Sequence, residues 1–390
     1  MFTELIYQHF KEIYQLKVDS LTSPAVIINP SDTVSQVIHK ISKNGIYDVF
    51  CLESGSVLTT NVRTLLAGKD IEDMKVGPFL YPIRFLSPGD TIQKAANILA
   101  HQRIRAVPFV ENNQLVGNVT AKRILELLSS KDNKWITANL IFTTNPITIK
   151  STESLSAARN LMLEKRIDHL PVIHKDKVRQ VLTSFHLLQS LQSQQRVGRK
   201  SRGISRIKKL GSRVSNMGST RIPECSPNDN LNTIIQLMLG TDTTCCLVKL
   251  WDRLHGIITY RDILSLLAAK IESEIPLYVV GMPDDQRSVD IITSKFTKTL
   301  KKLKKVYSEI QEARVTIKRQ RSRGQRQYYE VSVRIITPYR TFTHKEYGWD
   351  LSQVFEYLSE RLLRQLSKRS KRRFKMSIRK IESPSLLESV

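Results

Sequence analysis

The 390-residue chain has few of the residues that staple or stiffen a fold: four cysteines, three tryptophans and fourteen prolines. Cys51, Cys225, Cys245 and Cys246 lack metal-ligand spacing, and four thiols cannot make a disulfide framework for a chain of this size. A reducing cytoplasm and no metal are therefore expected. No uncharged apolar run approaches the roughly 18 residues that span a bilayer. The opening MFTELIYQHFKEIYQLK alternates acid, base and apolar residues without a signal-peptide pattern, so neither secretion nor a membrane partner is expected. No nucleophile–base or metal constellation stands out, which argues against an enzyme. Helix-turn-helix and zinc-finger spacings are missing as well, which argues against sequence-selective reading of duplex DNA.

What is present is ordinary for a globular chain, 41% hydrophobic and 25% charged residues, at a length that implies two to four domains. The charge is unbalanced, with 61 Lys+Arg against 36 Asp+Glu, and it is unevenly placed. Residues 196–213 (RVGRKSRGISRIKKLGSR) carry eight bases and no acid, and residues 271–390 carry 26 bases against 14 acids. The rest of the chain is close to neutral. Two basic outposts on a near-neutral body predict a polyanionic partner, a solvated basic surface being the plain alternative. The first outpost is rich in Gly, Ser, Arg and Lys without periodicity and reads as a loop.

The chain repeats itself. Residues 91–110 (TIQKAANILAHQRIRAVPFV) and 154–173 (SLSAARNLMLEKRIDHLPVI) align at a shift of 63, placing Ala95, Arg103, Ile104 and Pro108 on Ala158, Arg166, Ile167 and Pro171. A third copy begins at Asn230, with Gly117 and Thr120 falling on Gly256 and Thr259. A fourth, weaker copy runs from Thr33. Each reads as a strand, a polar turn, an amphipathic helix, a two-strand hairpin and a second helix. Such a β-α-β-β-α unit cannot cover its own sheet, so the copies should pair.

These residues resemble the CBS-domain family (cystathionine β-synthase-type repeats), in two pairs over about Leu16 to Ala269. The best match is Gly256-Ile-Ile-Thr259-Tyr-Arg-Asp262, similar to the family's G-h-h-[ST]-x-x-D motif. The resemblance implies an adenosine-nucleotide site (AMP, ADP or ATP) at Gly256, Thr259 and Asp262, with His169 and Thr183 from the neighbouring repeat. A carboxylate can accept from both ribose hydroxyls, and a helix-start Thr suits ribose or phosphate oxygen. The same residues would equally serve as a helix cap and first-turn acid. The other repeats depart from the motif: Arg123 and His186 stand where the Asp should be, and Gln180 replaces the Gly. Cys245 and Cys246 read as core-strand residues. The resemblance also allows a CBS-mediated homodimer.

After Glu274 the pattern changes to β-α-β-β-β-α. Val289, Ile292, Phe296, Leu300 and Leu303 recur at helical spacing, and Lys295, Lys298, Lys302 and Lys305 line another face. Alternation then predicts strands that put Arg314, Lys318 and Arg334 opposite the apolar face. Arg321 and Arg323 flank a basic turn. Asp350 reads as the N-cap of a long helix with Leu351, Phe355, Leu358, Leu362 and Leu366 inward, and with Arg361, Arg364, Lys368, Lys371 and Arg372 on its outer faces and basic end. From about Pro276 to Lys375 this order, the hairpin ARVTIKRQRSRGQRQYYEVSVRII and the final helix DLSQVFEYLSERLLRQLSKRSKRR resemble the ribosome hibernation-promoting factor family, also called ribosome-associated inhibitors. That resemblance implies binding to rRNA in the mRNA–tRNA path of the small ribosomal subunit through the Lys and Arg residues named above; the insert reads either as a further rRNA contact or as a soluble linker.

The expected fold class is therefore α/β and α+β, two tandem CBS pairs of β-α-β-β-α repeats followed by a basic β-α-β-β-β-α domain. The expected divisions are an N-terminal helix (1–15), a first pair (16–130), a second pair (131–270, with a basic insert at 192–213), an rRNA-binding domain (275–382) and a tail (383–390). The expected function is a ribosome-binding translation inhibitor with nucleotide-sensing repeats. The alternative is a CBS-regulated RNA- or DNA-binding regulator that does not act on the ribosome.

Overall fold

Polar caps and hairpin turns, all local features, set the elements of each repeat. The computed structural model describes residues 2–53, 55–68, 73–192, 210–267, 269–271, 275–283, 285–306, 310–323, 326–337 and 341–365. The chain opens with two helices, α1 (Phe2–His9) and α2 (Lys11–Gln15), where one was expected. Repeat 1 follows β1 (Thr22–Ser23) and contains α3 (Val34–Asn44), β2 (Asp48–Glu53), β3 (Ser56–Asn61) and α4 (Val62–Ala67). Repeat 2 follows β4 (Tyr81–Pro82) with α5 (Ile92–Gln102), β5 (Ala106–Glu111), β6 (Gln114–Thr120) and α6 (Ala121–Ser129). Repeat 3 follows β7 (Thr143–Thr144) with β8 (Ile149–Lys150), α7 (Leu155–Lys165), β9 (His169–His174), β10 (Lys177–Thr183) and α8 (Ser184–Gln192). Repeat 4 has β11 (Glu224–Cys225), α9 (Leu231–Gly240), β12 (Cys245–Leu250), β13 (Arg253–Thr259) and α10 (Tyr260–Leu264).

The first helices start at side-chain caps. The hydroxyl of Thr33 accepts from Gln36 N while Gln36 Oε1 accepts from Thr33 N, and the side chains of Ser154 and Asn230 cap α7 and α9 by accepting from Ala157 N and Thr233 N. The hairpins of repeats 2, 3 and 4 turn on residue pairs with positive φ, namely Asn112-Asn113, Lys175-Asp176 and Trp251-Asp252. Pairing between repeats is reciprocal. β1, ahead of repeat 1, joins β6 of repeat 2, and β4, ahead of repeat 2, joins β3 of repeat 1. Likewise β7, ahead of repeat 3, joins β13 of repeat 4, and Ser219, ahead of repeat 4, pairs with Val181 of repeat 3. Each repeat thus completes its sheet with a segment borrowed from its partner. One buried cluster joins repeats 1 and 3, including Val37, Ile41, Leu65, Ala158, Leu170 and Leu187. On the other side α6 packs against α9 and α10.

The C-terminal elements are β14 (Ala269–Ile271), β15 (Leu277–Val280), α11 (Gln286–Asp290), a π-helix (Ile291–Phe296), α12 (Thr297–Val306), β16 (Glu312–Arg323), β17 (Arg326–Ile336), β18 (Thr341–Gly348) and α13 (residues 351–365). The sheet order is β14-β15-β16-β17-β18, with β15 and β16 parallel and the other neighbours antiparallel. Asp350 caps α13, its Oδ1 accepting from Gln353 N at 3.0 Å. Ile292, Phe296, Leu300 and Leu303 join Leu351, Phe355, Leu358 and Leu362 over Val315, Val331 and Val333 in one core, so both helices cover one sheet face. The β-α-β-β-β-α order is as expected, with β14 added at the edge. The mixed architecture of tandem repeats plus a further domain is the expected one. Two compact units result: residues 2–10, 100–103 and the described residues from 267 onward form one, and residues 11–99 with 104–266 form the other.

Candidate functional site

Thr259 ends β13 and caps α10. Asp262, in the first turn, reaches back: its Oδ2 accepts from Thr259 N and from Thr259 Oγ1, both at 2.7 Å, and its Oδ1 accepts from Thr143 Oγ1 at 3.3 Å. Gly256 lies where β7 crosses, and a Cβ there would run into the Phe142 ring and the Thr143 carbonyl oxygen at 2.9 Å. The three motif residues thus share one strand–helix junction, and each has a local structural role there. His169 opens β9, is buried, and shares a 2.6 Å hydrogen bond through Nε2 with Thr244 Oγ1. Burial, then the neighbouring Arg105 charge, pushes its pKa down to about 3, so the ring is neutral. Thr183 pairs with His169 across the β9–β10 ladder, and its hydroxyl meets His186 Nδ1 at 2.9 Å. His169 and Thr183 therefore come together, the first of them as a buried neutral group.

Sequence reasoning missed a buried ionic cluster drawn from all the repeats. Asp168 Oδ2 receives Arg63 Nη2 and Arg261 Nη2, each at 2.5 Å, and its Oδ1 accepts from the hydroxyls of Tyr47 at 2.8 Å and Ser184 at 3.2 Å. Burial alone would raise the Asp168 pKa, but the guanidiniums of Arg63, Arg261 and Arg105 overcome it and hold the carboxyl well below its usual range. The Arg105 guanidinium lies 4.1 Å from the Tyr47 ring centre and 5.5 Å from that of Tyr260. Asp48 Oδ2 accepts from the backbone N–H groups of Arg105 and Ala106, and burial pushes its pKa up to about 7. Asp48 Oδ1, Arg63 Nε, and Arg105 Nε and Nη2 are buried without a hydrogen-bond partner. Three guanidiniums face one firmly ionised carboxylate, which leaves positive potential at the centre of these repeats. A positional signal existed. Tyr47, Arg105 and Asp168 each stand one residue before the second strand of their repeat, and Arg63 and Arg261 each stand two after a helix cap.

Cys245 and Cys246 are buried on β12, and burial pushes the Cys245 thiol up to about 12, which suits packing. Among the described residues no group of three or more His, Cys, Asp or Glu could hold a metal ion, and no helix is long and apolar enough to cross a membrane.

In the C-terminal domain Lys295, Lys298, Lys302 and Lys305 are exposed along the π-helix and α12, joined by Lys301 and Lys304. Arg334, Arg361 and Arg364 are also exposed, with Arg361 ion-paired to Glu346. Arg314 and Lys318 differ from expectation in being half-buried. Their sheet face is partly covered, since Tyr7 of α1 packs on Tyr278 and Val280, and Glu330 is buried there too. The sheet face still exposes Arg334, and the lysine row opens on the helix side. Arg321 and Arg323 lie on β16 with side chains outside the described residues. Lys368, Lys371, Arg372 and positions 196–209 of the insert also lie outside them.

Residues 76–130, 139–193 and 214–269 each match the family model of the CBS domain. The chain contains CBS domains. The matched segments are repeats 2, 3 and 4, while α3, β2, β3 and α4 give repeat 1 the same CBS order of elements. Protein MJ1404 of Methanocaldococcus jannaschii is 22% identical over 331 residues, covering 83% of this chain and 78% of that protein. The CBS domain-containing protein CBSCBSPB1 of Arabidopsis thaliana is 24% identical over 210 residues, covering 46% of this chain and 39% of that protein. The crystal structure of protein MJ1225 from Methanocaldococcus jannaschii superimposes with a TM-score of 0.57 at 16% identity, covering 64% of this chain and 99% of its own, and so shares the fold. The C-terminal β-α-β-β-β-α domain lies outside the CBS matches.

Proposed function

We propose that this protein acts by binding rather than by catalysis: it occupies the mRNA–tRNA path of the small ribosomal subunit in the cytoplasm through its C-terminal domain, and its CBS repeats hold an adenosine nucleotide. The observation that carries the ribosomal half is the exposed lysine row from Lys295 to Lys305 on a domain whose β-α-β-β-β-α order resembles that of hibernation factors. Such a row suits phosphate-walled RNA, which is met chiefly through shape, phosphate and 2′-OH contacts. The nucleotide half is supported by the excess of guanidinium around Asp168 and by the unpartnered N–H groups of Arg105, which phosphate oxygens would satisfy. Asp262 would exchange its bond to Thr143 for ribose hydroxyls.

The test is sedimentation of full-length protein with purified small subunits through a sucrose cushion, with and without AMP, ADP or ATP. Wild type is expected in the pellet, and a Lys298→Glu, Lys302→Glu, Lys305→Glu variant in the supernatant. Equal pelleting of the two at moderate salt would refute the ribosomal role. Loss of subunit binding with retained affinity for free RNA or DNA would select the alternative of a nucleic-acid regulator acting elsewhere. A melting temperature unmoved by all three nucleotides would remove the nucleotide half alone.

A further inference from the structure

The strongly basic C-terminal domain contains a groove of the opposite character. It is open, encloses about 930 Å³, and runs between the π-helix and the start of α13. Three acids line it, Asp290, Asp350 and Glu356, against one base, Lys295. That base is engaged, its Nζ donating to Ser352 Oγ at 2.6 Å. Residues 271–390 as a whole carry 26 bases against 14 acids, so the groove reverses the sign of its surroundings. A nucleic-acid strand would meet unfavourable charge here, and a cation favourable charge.

Apolar and aromatic side chains also line the groove. Ile291 of the π-helix and the buried Leu351 line it beside Tyr329 and Trp349. The Trp349 indole is held edge-on by Tyr328, with ring centres 5.0 Å apart, and stays 43% exposed. A half-exposed indole beside carboxylates has the composition of a guanidinium receptor: the π-face attracts the cation, and the carboxylates accept its forked N–H groups. Tryptophan in such a setting is a common energetic anchor of interfaces.

We propose that this groove docks an arginine-bearing segment of a protein partner, one guanidinium lying on the Trp349 indole between Glu356 and Asp350, with adjoining apolar side chains against Ile291 and Leu351. Asp350 retains one oxygen for this purpose, since only Oδ1 caps α13. The inference does not rest on ribosome binding, because it uses an indole and three acids, and of the lysine row only Lys295 lines the groove.

The test uses full-length protein and a fluorescein-labelled Arg-Leu-Arg-Leu-Arg-Leu peptide, read by fluorescence anisotropy, with an oligouridine of similar length as a second probe. The expected result is saturable peptide binding that weakens by roughly tenfold in Trp349→Ala and in Glu356→Lys, both with wild-type melting temperatures, and that is unchanged in Lys302→Glu. Glu356 is exposed, so its reversal tests the groove even if Trp349→Ala loosens the fold. Peptide binding of equal strength in wild type and Glu356→Lys would overturn the proposal. So would a Trp349→Ala variant that loses oligouridine binding and keeps the peptide, which would make the groove a base-stacking site.

Discussion

Asp48 and His169 each open the second strand of a repeat, and burial moves them in opposite senses. Asp48 keeps its proton in the fold up to about pH 7, whereas its carboxyl ionises near 3.8 when unperturbed. Across that window the folded chain binds the extra proton, so the Asp48 contribution to stability is present at low pH and is lost as pH rises through about 7. His169 stays neutral in the fold down to about pH 3, whereas an unperturbed imidazole protonates near 6.5. There the unfolded chain binds the extra proton, so the His169 contribution is lost as pH falls from about 6.5 toward 3. Each slope approaches about 1.4 kcal/mol per pH unit, and they oppose each other between about pH 4 and 6.5. Urea midpoints measured over that range should therefore fall on acidification for Asp48→Asn and rise for His169→Gln. Parallel responses of the two variants would mean that these groups do not carry the opposed shifts. Neither residue stood out for this in the sequence, because a shift depends on burial and on charges brought from other repeats.

At the scale of elements, the borrowed strands explain residues that otherwise read as ligand contacts. Gly117 and Gly256 occupy equivalent places where the partner's leading segment crosses, and a Cβ on Gly117 would lie 2.7 Å from the Ser23 carbonyl oxygen. Repeat 3 has Gln180 there, and the crossing segment supplies Gly218 instead, at φ +129°. Gln180 Nε2 then donates to the carbonyls of Val214 and Met217 at 2.6 and 2.5 Å. Gly256→Ala should destabilise the protein by about 1–3 kcal/mol, since crowded backbone cannot yield as a side chain can. Gly240→Ala, at the end of α9 with nothing within 4 Å, should be neutral or stabilising by up to about 1 kcal/mol. Urea denaturation of both variants checks the contrast, and equal midpoints would refute the crowding. The repeats themselves were legible from helical spacing and turn residues, but two-residue strands such as β1, β4 and β7 leave no periodicity to read.

For the whole molecule, charge placement governs the expected chemistry. The exposed lysines of the π-helix and α12 face solvent together, so in the proposed role their contribution to RNA binding would be counterion release and would weaken with salt. Subunit affinity measured between 50 and 200 mM KCl should fall linearly on a log–log plot, as is expected for phosphate contacts of this kind. Lys302→Gln should reduce the magnitude of that slope by about 0.7–0.9. A slope identical to wild type would place Lys302 outside the contact.

By itself the sequence determined the repeat order, the change of pattern after Glu274, the apolar faces of α12 and α13, and the uneven charge, because spacing, caps and net charge act over a few residues. Tertiary structure alone decided which ionic groups meet and which bases are half-buried. Asp168 gathers Tyr47 from 121 residues away, Arg63 from 105 and Arg261 from 93. Likewise α1, from the far end of the chain, covers part of the sheet face that carries Arg314 and Lys318. Coulomb and desolvation energies depend on distance and burial in the folded molecule, and neither is written in the local pattern of the chain.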